Sequence, residues 1–146
     1  MLRPAPRLAR VLWVVACLPA CGPGRSGGSG GASEPVRPTA PLTLDDARRY
    51  ALALVNRDRA TEGLPEVELD EIASAAAQRH AEDLASHGVT AHHGTDGSVP
   101  EQRYAEAGGE DLATENAACF FDGVVRPLDP DPRFRPEGIE TIETAF

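Results

Sequence analysis

Residues 92–119 read HHGTDGSVPEQRYAEAGGEDLATENAAC, and this stretch says more about fold and function than any other part of the chain. It places imidazole and carboxylate side chains among turn residues, directly after two segments with helical periodicity. Loops that carry His and Glu on a helical scaffold are common places for binding and metal chemistry. The sequence therefore predicts a functional site in this loop-rich stretch.

Two helices are predicted upstream of it. The first covers about residues 44–60, with Thr43 as its N-cap and with apolar residues recurring along one face. The second begins after the N-cap Asp70, ends at Gly88 and carries His80 on its apolar face. A histidine in such a position is more often part of the core than a ligand, so we interpret His80 as a core residue.

Shorter patterns complete the chain. A third helix is predicted from Ser98 or Pro100 to the glycine pair at 108–109, and helical spacing returns from Glu137. Alternation at residues 67–69 predicts one brief strand. A lone strand leaves its backbone donors and acceptors unpaired, so we expect the natural domain to be longer than this chain.

The first 21 residues have the features of an export signal. Arginines precede an apolar run that is shorter than the roughly 20 residues needed to span a bilayer. The sequence LPAC at residues 18–21 resembles a bacterial lipobox, which predicts a lipid on Cys21 and anchoring to a membrane; secretion with cleavage near Ala20 is the alternative. Residues 22–41 are mostly Gly, Ser and Pro, which predicts a flexible linker.

The charge balance limits the classes of partner. The chain has 14 basic residues and 23 acidic ones, and three of the basic residues lie in the export segment. The remaining 11 basic residues against 23 acidic ones leave a net charge of −12. So acidic a domain is not expected to bind nucleic acid or the headgroups of anionic lipids.

Cys119 is the single thiol beyond the export segment, so it cannot form a disulfide within this part of the chain. It is either a buried small hydrophobic residue or the partner of a cysteine beyond Phe146. A catalytic thiol is the least favoured interpretation, because no activating neighbour is visible in the sequence.

The order of the motifs resembles the bacterial branch of the CAP superfamily, named for cysteine-rich secretory, antigen five and pathogenesis-related proteins. The resemblance covers about residues 44–146 and lies in the joint order of the pieces. These are LVNxxR at 54–59, HAEDLA at 80–85, HxxxDG at 92–97, PxQRY at 100–104 and ENxAC at 115–119. It implies an α+β fold, a three-layer α-β-α sandwich. In this chain the sandwich is expected to be incomplete, with mainly the N-terminal helices present and most of the sheet strands missing.

The same resemblance implies that residues 42–146 are a partial CAP domain with a cleft lined by two His and two Glu. In many members these four residues hold a divalent metal, here zinc or calcium. His92 matches the first His and Glu115 the first Glu, whereas the second pair is not identifiable. Glu140 and Glu143 lie in the region of the second Glu, but neither is assigned that role.

The residues themselves leave other interpretations open. One imidazole and one carboxylate suit a divalent cation, but zinc sites use three or four protein ligands. His92 is alternatively a loop residue bonded to a backbone carbonyl. Glu115 is alternatively an acid at a helix N-terminus. His93 is expected on the surface, since adjacent side chains on an extended loop point apart.

Three hypotheses for function follow. The leading one is a non-enzymatic extracellular module, anchored by lipid, that binds an unidentified lipid, glycan or protein. The second is a metal-dependent hydrolase of peptide or cell-wall polymer that uses His92 and Glu115. It is disfavoured because no HExxH helix, GxSxG motif or activated Cys occurs, so no catalytic residue is assigned. The third is a truncated fragment without function.

Overall fold

The computed structural model describes residues 14–19, 33–110, 112–119 and 129–145. For residues 14–19 it describes the backbone only. The described chain contains two strands and four helices. They are β1 (Val14–Pro19), α1 (Leu44–Thr61), α2 (Glu71–His87), α3 (Pro100–Glu106), β2 (Ala113–Ala118) and α4 (Pro136–Glu143). The predicted helices are confirmed, and their boundaries differ from the predicted ones by no more than a few residues.

Side-chain caps explain where the two long helices begin. The Thr43 hydroxyl accepts a hydrogen bond from the backbone N–H of Asp46 at 3.2 Å, at the start of α1. The Asp70 carboxylate accepts one from the N–H of Ala73 at 2.6 Å, at the start of α2. Gly88 ends α2 with φ 64°, a left-handed conformation that glycine adopts without steric cost. Each of these caps is as the sequence predicts.

Prolines begin the two short helices. Pro100 and Pro136 occupy first-turn positions, where the missing N–H of proline removes no helical hydrogen bond. Gly108 follows α3 with φ 103°. Helix α4 begins one residue before Glu137, where the sequence places its start.

The predicted strand at 67–69 is wrong. Residues 64–70 form neither helix nor strand, and the side chain of Asn56 on α1 takes the role that a neighbouring strand would have. Its Nδ2 donates to the carbonyl of Val67, and its Oδ1 accepts from the N–H of Val67, both at 2.9 Å. One amide side chain thereby satisfies both backbone groups of Val67, so no β-ladder is required there.

Strand β2 lies instead within the stretch that the sequence predicts to be loop-rich. It pairs antiparallel with β1, Val14 lying opposite Ala118 and Pro19 opposite Ala113. This pair is the sheet of the described residues, which do not show the full α-β-α sandwich that the resemblance implies. Cys21 lies outside the described residues, so its lipidation stays a prediction.

No described helix combines the length and the apolar character needed to cross a membrane.

Two hydrophobic clusters hold the described helices in place. The first joins α1 to α4, and its buried members are Ala47, Tyr50, Leu54, Phe134, Ile139 and Ile142. The second joins α2, α3 and β2 through Ala73, Tyr104 and Ala113. The end of the predicted linker contacts the first cluster's helices, since Arg37 pairs with Glu140 at 2.9 Å. The predicted site residues lie on the α2–α3–β2 side.

Candidate functional site

The loop that carries His92 is fixed to the helix that precedes it. The carboxylate of Asp83 on α2 accepts hydrogen bonds from the N–H of Thr95 at 2.8 Å and from its hydroxyl at 2.6 Å. Burial raises the pKa of Asp83, but these hydrogen bonds from Thr95 outweigh it and hold the pKa below its ordinary value. The Asp83 carboxylate therefore stays charged and keeps the loop against α2.

A tight turn closes the same loop. The N–H of Gly94 donates to the carbonyl of Ser98 at 2.9 Å, and the Asp96 carboxylate accepts from the N–H of Ser98 at 2.9 Å. Gly97 has φ 85°, which a side chain would make unfavourable. Asp96 and Gly97 therefore form this turn, which sets the direction in which the chain leaves His92.

Glu115 enters the site from β2 with a side chain that is 2% exposed. Its Oε1 lies 3.1 Å from Nδ1 of His92, and its Oε2 lies 2.6 Å from a guanidinium nitrogen of Arg103. Glu115 belongs to a strand, which removes the alternative of an acid at a helix N-terminus. The structure thus brings together the two residues that the sequence predicts as ligands.

His92 is the accessible member of this group, with a side chain that is 59% exposed. Because a carboxylate oxygen accepts hydrogen bonds, contact with Glu115 places the proton of a neutral His92 ring on Nδ1. The other ring nitrogen, Nε2, then has a free lone pair on an exposed ring. Among the described residues, Glu115 is the hydrogen-bond partner found for this imidazole.

Arg103 is the residue that sequence reasoning did not single out. It lies on α3, is 7% exposed, and donates to the carbonyls of Ser98 at 2.8 Å and His92 at 3.1 Å as well as to Glu115. Its place in the motif PxQRY is the signal that was available. That signal says nothing about which acid the arginine meets.

His80 lies beneath the pair and is 1% exposed, so its interpretation as a core residue is confirmed. Its Nε2 is 3.0 Å from the carbonyl of Ala91 and 3.6 Å from Oε1 of Glu115. Its Nδ1 is buried and has no hydrogen-bond partner among the described residues. The Glu115 carboxylate is therefore enclosed by Arg103 and two imidazoles.

The other residues considered from sequence lie elsewhere. Glu140 accepts from the Tyr50 hydroxyl at 2.6 Å and Glu143 pairs with Arg57 at 3.4 Å, so both belong to the α1–α4 contact. Cys119 is partly buried, and its Sγ lies 2.6 Å from the hydroxyl of Thr90. These contacts do not add a donor to the His92–Glu115 pair.

The donors in the described residues do not fit a tightly held divalent cation. Zinc sites use three or four protein ligands, and no group of three or more His, Cys, Asp or Glu with metal-site geometry occurs in the described ranges. In addition, both oxygens of Glu115 are engaged, one by His92 and the other by the permanent positive charge of Arg103. The arrangement is that of an imidazole oriented by a buried carboxylate.

Comparison with known proteins agrees with the motif order. The sequence model of the family described as CAP, cysteine-rich secretory protein family, matches residues 52–129. This range includes His92, Arg103 and Glu115. No curated protein and no solved structure matches the chain.

Proposed function

Because the chain belongs to the CAP family, we propose that it is an extracellular binding module that presents the imidazole of His92 to a ligand. CAP domains are typically extracellular, and the export signal with its lipobox-like LPAC agrees with that location. A lipid on Cys21, which becomes the N-terminus once residues 1–20 are removed, would hold the domain at a membrane surface by way of the linker at 22–41. Strand β1 lies in the removed segment, so the mature domain would keep β2 without this partner. The observation that carries the proposal is the 3.1 Å contact between Glu115 and His92.

The chemistry of this contact favours a ligand that donates hydrogen bonds. With Nδ1 bound to Glu115, Nε2 of His92 accepts a hydrogen bond from a hydroxyl or an amide N–H. Cell-wall glycan with attached peptide supplies both groups. A protein supplies them as well, whereas the hydrocarbon chains of a lipid supply neither, so we take the glycan with attached peptide as the first ligand to test.

Binding is favoured over turnover by what surrounds the ring. A hydrolase that used His92 as a base would need a nucleophile or an activated water beside Nε2. Among the described residues, no Ser, Cys or Thr hydrogen-bonds to this imidazole. A divalent metal would require donors in addition to those that the described residues bring to Glu115.

The test is calorimetric titration of soluble cell-wall glycan fragments into the full-length protein and into two variants. His92→Ala should weaken binding by about tenfold, the loss expected for one hydrogen bond of about 1.4 kcal/mol. His93→Ala is the matched control, because His93 is the exposed neighbour and forms no hydrogen bond or ion pair with Glu115 among the described residues. It should bind as the unchanged protein does.

Equal binding by all three proteins, or equal loss in both variants, would contradict the proposal. Cleavage of the fragments that stops in His92→Ala would support the hydrolase instead, and binding to phosphatidylcholine vesicles alone would indicate a lipid ligand.

Anchoring is tested separately in a bacterial host. Cys21→Ala should move the protein from the membrane fraction to the soluble fraction.

A further inference from the structure

His92 and Glu115 belong to segments that their own contact does not hold together. His92 lies in a loop and Glu115 on β2, 23 positions along the chain. The imidazole is 59% exposed, and ion pairs or hydrogen bonds at such exposure contribute little to stability. A stronger contact is needed to hold the ring at 3.1 Å from the carboxylate.

Arg103 makes that contact to both residues at once. One guanidinium nitrogen, Nη2, donates to Oε2 of Glu115 at 2.6 Å and to the backbone carbonyl of His92 at 3.1 Å. The other, Nη1, donates to the carbonyl of Ser98 at 2.8 Å. A single planar group therefore joins the start of the loop, its closing turn and β2.

Burial makes these hydrogen bonds strong and directional. The Arg103 side chain is 9% exposed and that of Glu115 is 2% exposed, so water competes little for either. Hydrogen bonds between ionised groups are about twice as strong as neutral ones, and the flat guanidinium restricts their geometry. Arginine also keeps its proton in proteins, so this cation is permanent.

We propose that Arg103 is the positioning residue of the His92 site. It fixes Oε2 of Glu115 and thereby directs Oε1 towards Nδ1 of His92, while it holds the backbone of His92 at the same point. The ring proton then stays on Nδ1 and the lone pair on Nε2 faces the ligand. Arg103 also supplies the positive charge that Glu115 would otherwise take from a bound metal ion.

This inference rests on the proposed function for its biological meaning, but it is tested without any ligand. The readout is the pair of ring ¹⁵N chemical shifts of His92 in the full-length protein, recorded well above the ordinary pKa of imidazole. Two separated shifts indicate one tautomer, and converging shifts indicate exchange between both. If the unchanged protein binds no glycan but its two His92 ¹⁵N shifts are well separated and converge in Arg103→Gln, the proposed function fails and the role of Arg103 stands.

Arg103→Gln should make the two shifts converge, whereas Arg103→Lys should keep part of their separation because it retains the charge. Arg49→Gln removes an exposed ion pair to Asp46 and should leave the shifts unchanged. Leu54→Ala lowers stability at the α1–α4 cluster and should also leave them unchanged in the folded protein. Identical His92 shifts in the unchanged protein and both Arg103 variants would overturn the proposal.

A measurement on the unchanged protein covers the case in which the Arg103 variants do not fold. The four Nη protons of Arg103 should give separate, slowly exchanging signals, since both Nη atoms are held by hydrogen bonds. One averaged, rapidly exchanging signal would overturn the proposal.

A zinc titration gives a second measurement on the unchanged protein. Equimolar Zn²⁺ should not shift the His92 ring signals, and tight binding of Zn²⁺ at His92 and Glu115 would likewise overturn the proposal.

Discussion

Glu115 shows how the environment of one carboxylate couples the site to stability. Its side chain is almost fully buried, and a charge in that position is costly unless it is paired. Arg103 provides the pair at 2.6 Å, and His92 and His80 occupy the remaining sides. Such a buried pair contributes little net stability compared with apolar residues, yet removal of one partner leaves the other charge buried and unpaired.

The free energy of unfolding should therefore fall by about 3 kcal/mol in Glu115→Gln, because Arg103 is left without its counter-ion. Urea denaturation followed by circular dichroism measures the change. Glu110→Gln is the control, since Glu110 is exposed, and it should change the free energy by less than about 0.5 kcal/mol. Similar values for the two variants would show that the Arg103–Glu115 pair is not desolvated.

At the scale of elements, the packing of α4 on α1 contains a carboxyl group with altered titration. Glu143, the last residue of α4, is 10% exposed and lies 3.4 Å from Arg57. Burial, together with a hydrogen bond to the carboxyl of Asp58, raises the pKa of Glu143 to about 7. Asp58 shifts the opposite way, because its hydrogen bond to Arg57 lowers its pKa. The pair therefore shares one proton near neutral pH.

This sharing predicts a pH-dependent contact between the two helices. The folded pKa of Glu143 is above its ordinary value of 4.5, so its contribution to stability is full below about pH 4.5 and is lost as the pH rises through about 7. The melting temperature of the unchanged protein minus that of Glu143→Gln should therefore decrease as the pH is raised from about 5 to about 8. Calorimetry at both pH values measures it.

The control for this experiment is Glu137→Gln, on the same helix with a side chain that is 65% exposed. Its melting temperature relative to the unchanged protein should shift much less over the same pH interval. If Glu143→Gln shows the full pH dependence of the unchanged protein, the carboxyl pair does not link α1 and α4.

At the scale of the whole molecule, the described residues form two hydrophobic clusters that support different helices. The α1–α4 cluster includes Phe134, whose backbone makes two hydrogen bonds with Leu42, and this bridge ties the chain before α1 to the chain before α4. The other cluster, centred on Tyr104, supports α3 and β2 and with them the site. The site is thus built mainly on the second cluster, although Ala118 of β2 also packs against the α1–α4 cluster, which holds much of the apolar burial.

Leu54→Ala should accordingly lower the free energy of unfolding by about 2–5 kcal/mol, because Leu54 is 2% exposed in the α1–α4 cluster. Amide hydrogen exchange should show the larger loss of protection in α1 and α4 and a smaller loss in α2 and α3. Equal loss in all four helices would mean that the described clusters unfold as one unit.

The sequence predicts features that depend on groups close together along the chain, and it misses features that depend on groups far apart along it. Thr43, Asp70 and Gly88 act within three or four residues of themselves, and the helix ends that they predict are confirmed. The strand expected at 67–69 was wrong because the partner of Val67, Asn56, is 11 residues away on a helix. Nothing in the local pattern of 67–69 distinguishes such a side-chain partner from a β-ladder.

The sequence by itself determined where the helices begin and end and to which family the chain belongs. It also identified His92 and Glu115 as candidate site residues. Only the tertiary structure decided that these two residues meet and that Arg103 lies between their segments. Helix caps are local hydrogen bonds, whose donors and acceptors lie within one turn of chain. The state of a buried charge depends on which distant groups replace its water, and that is settled only when α3 and β2 come together.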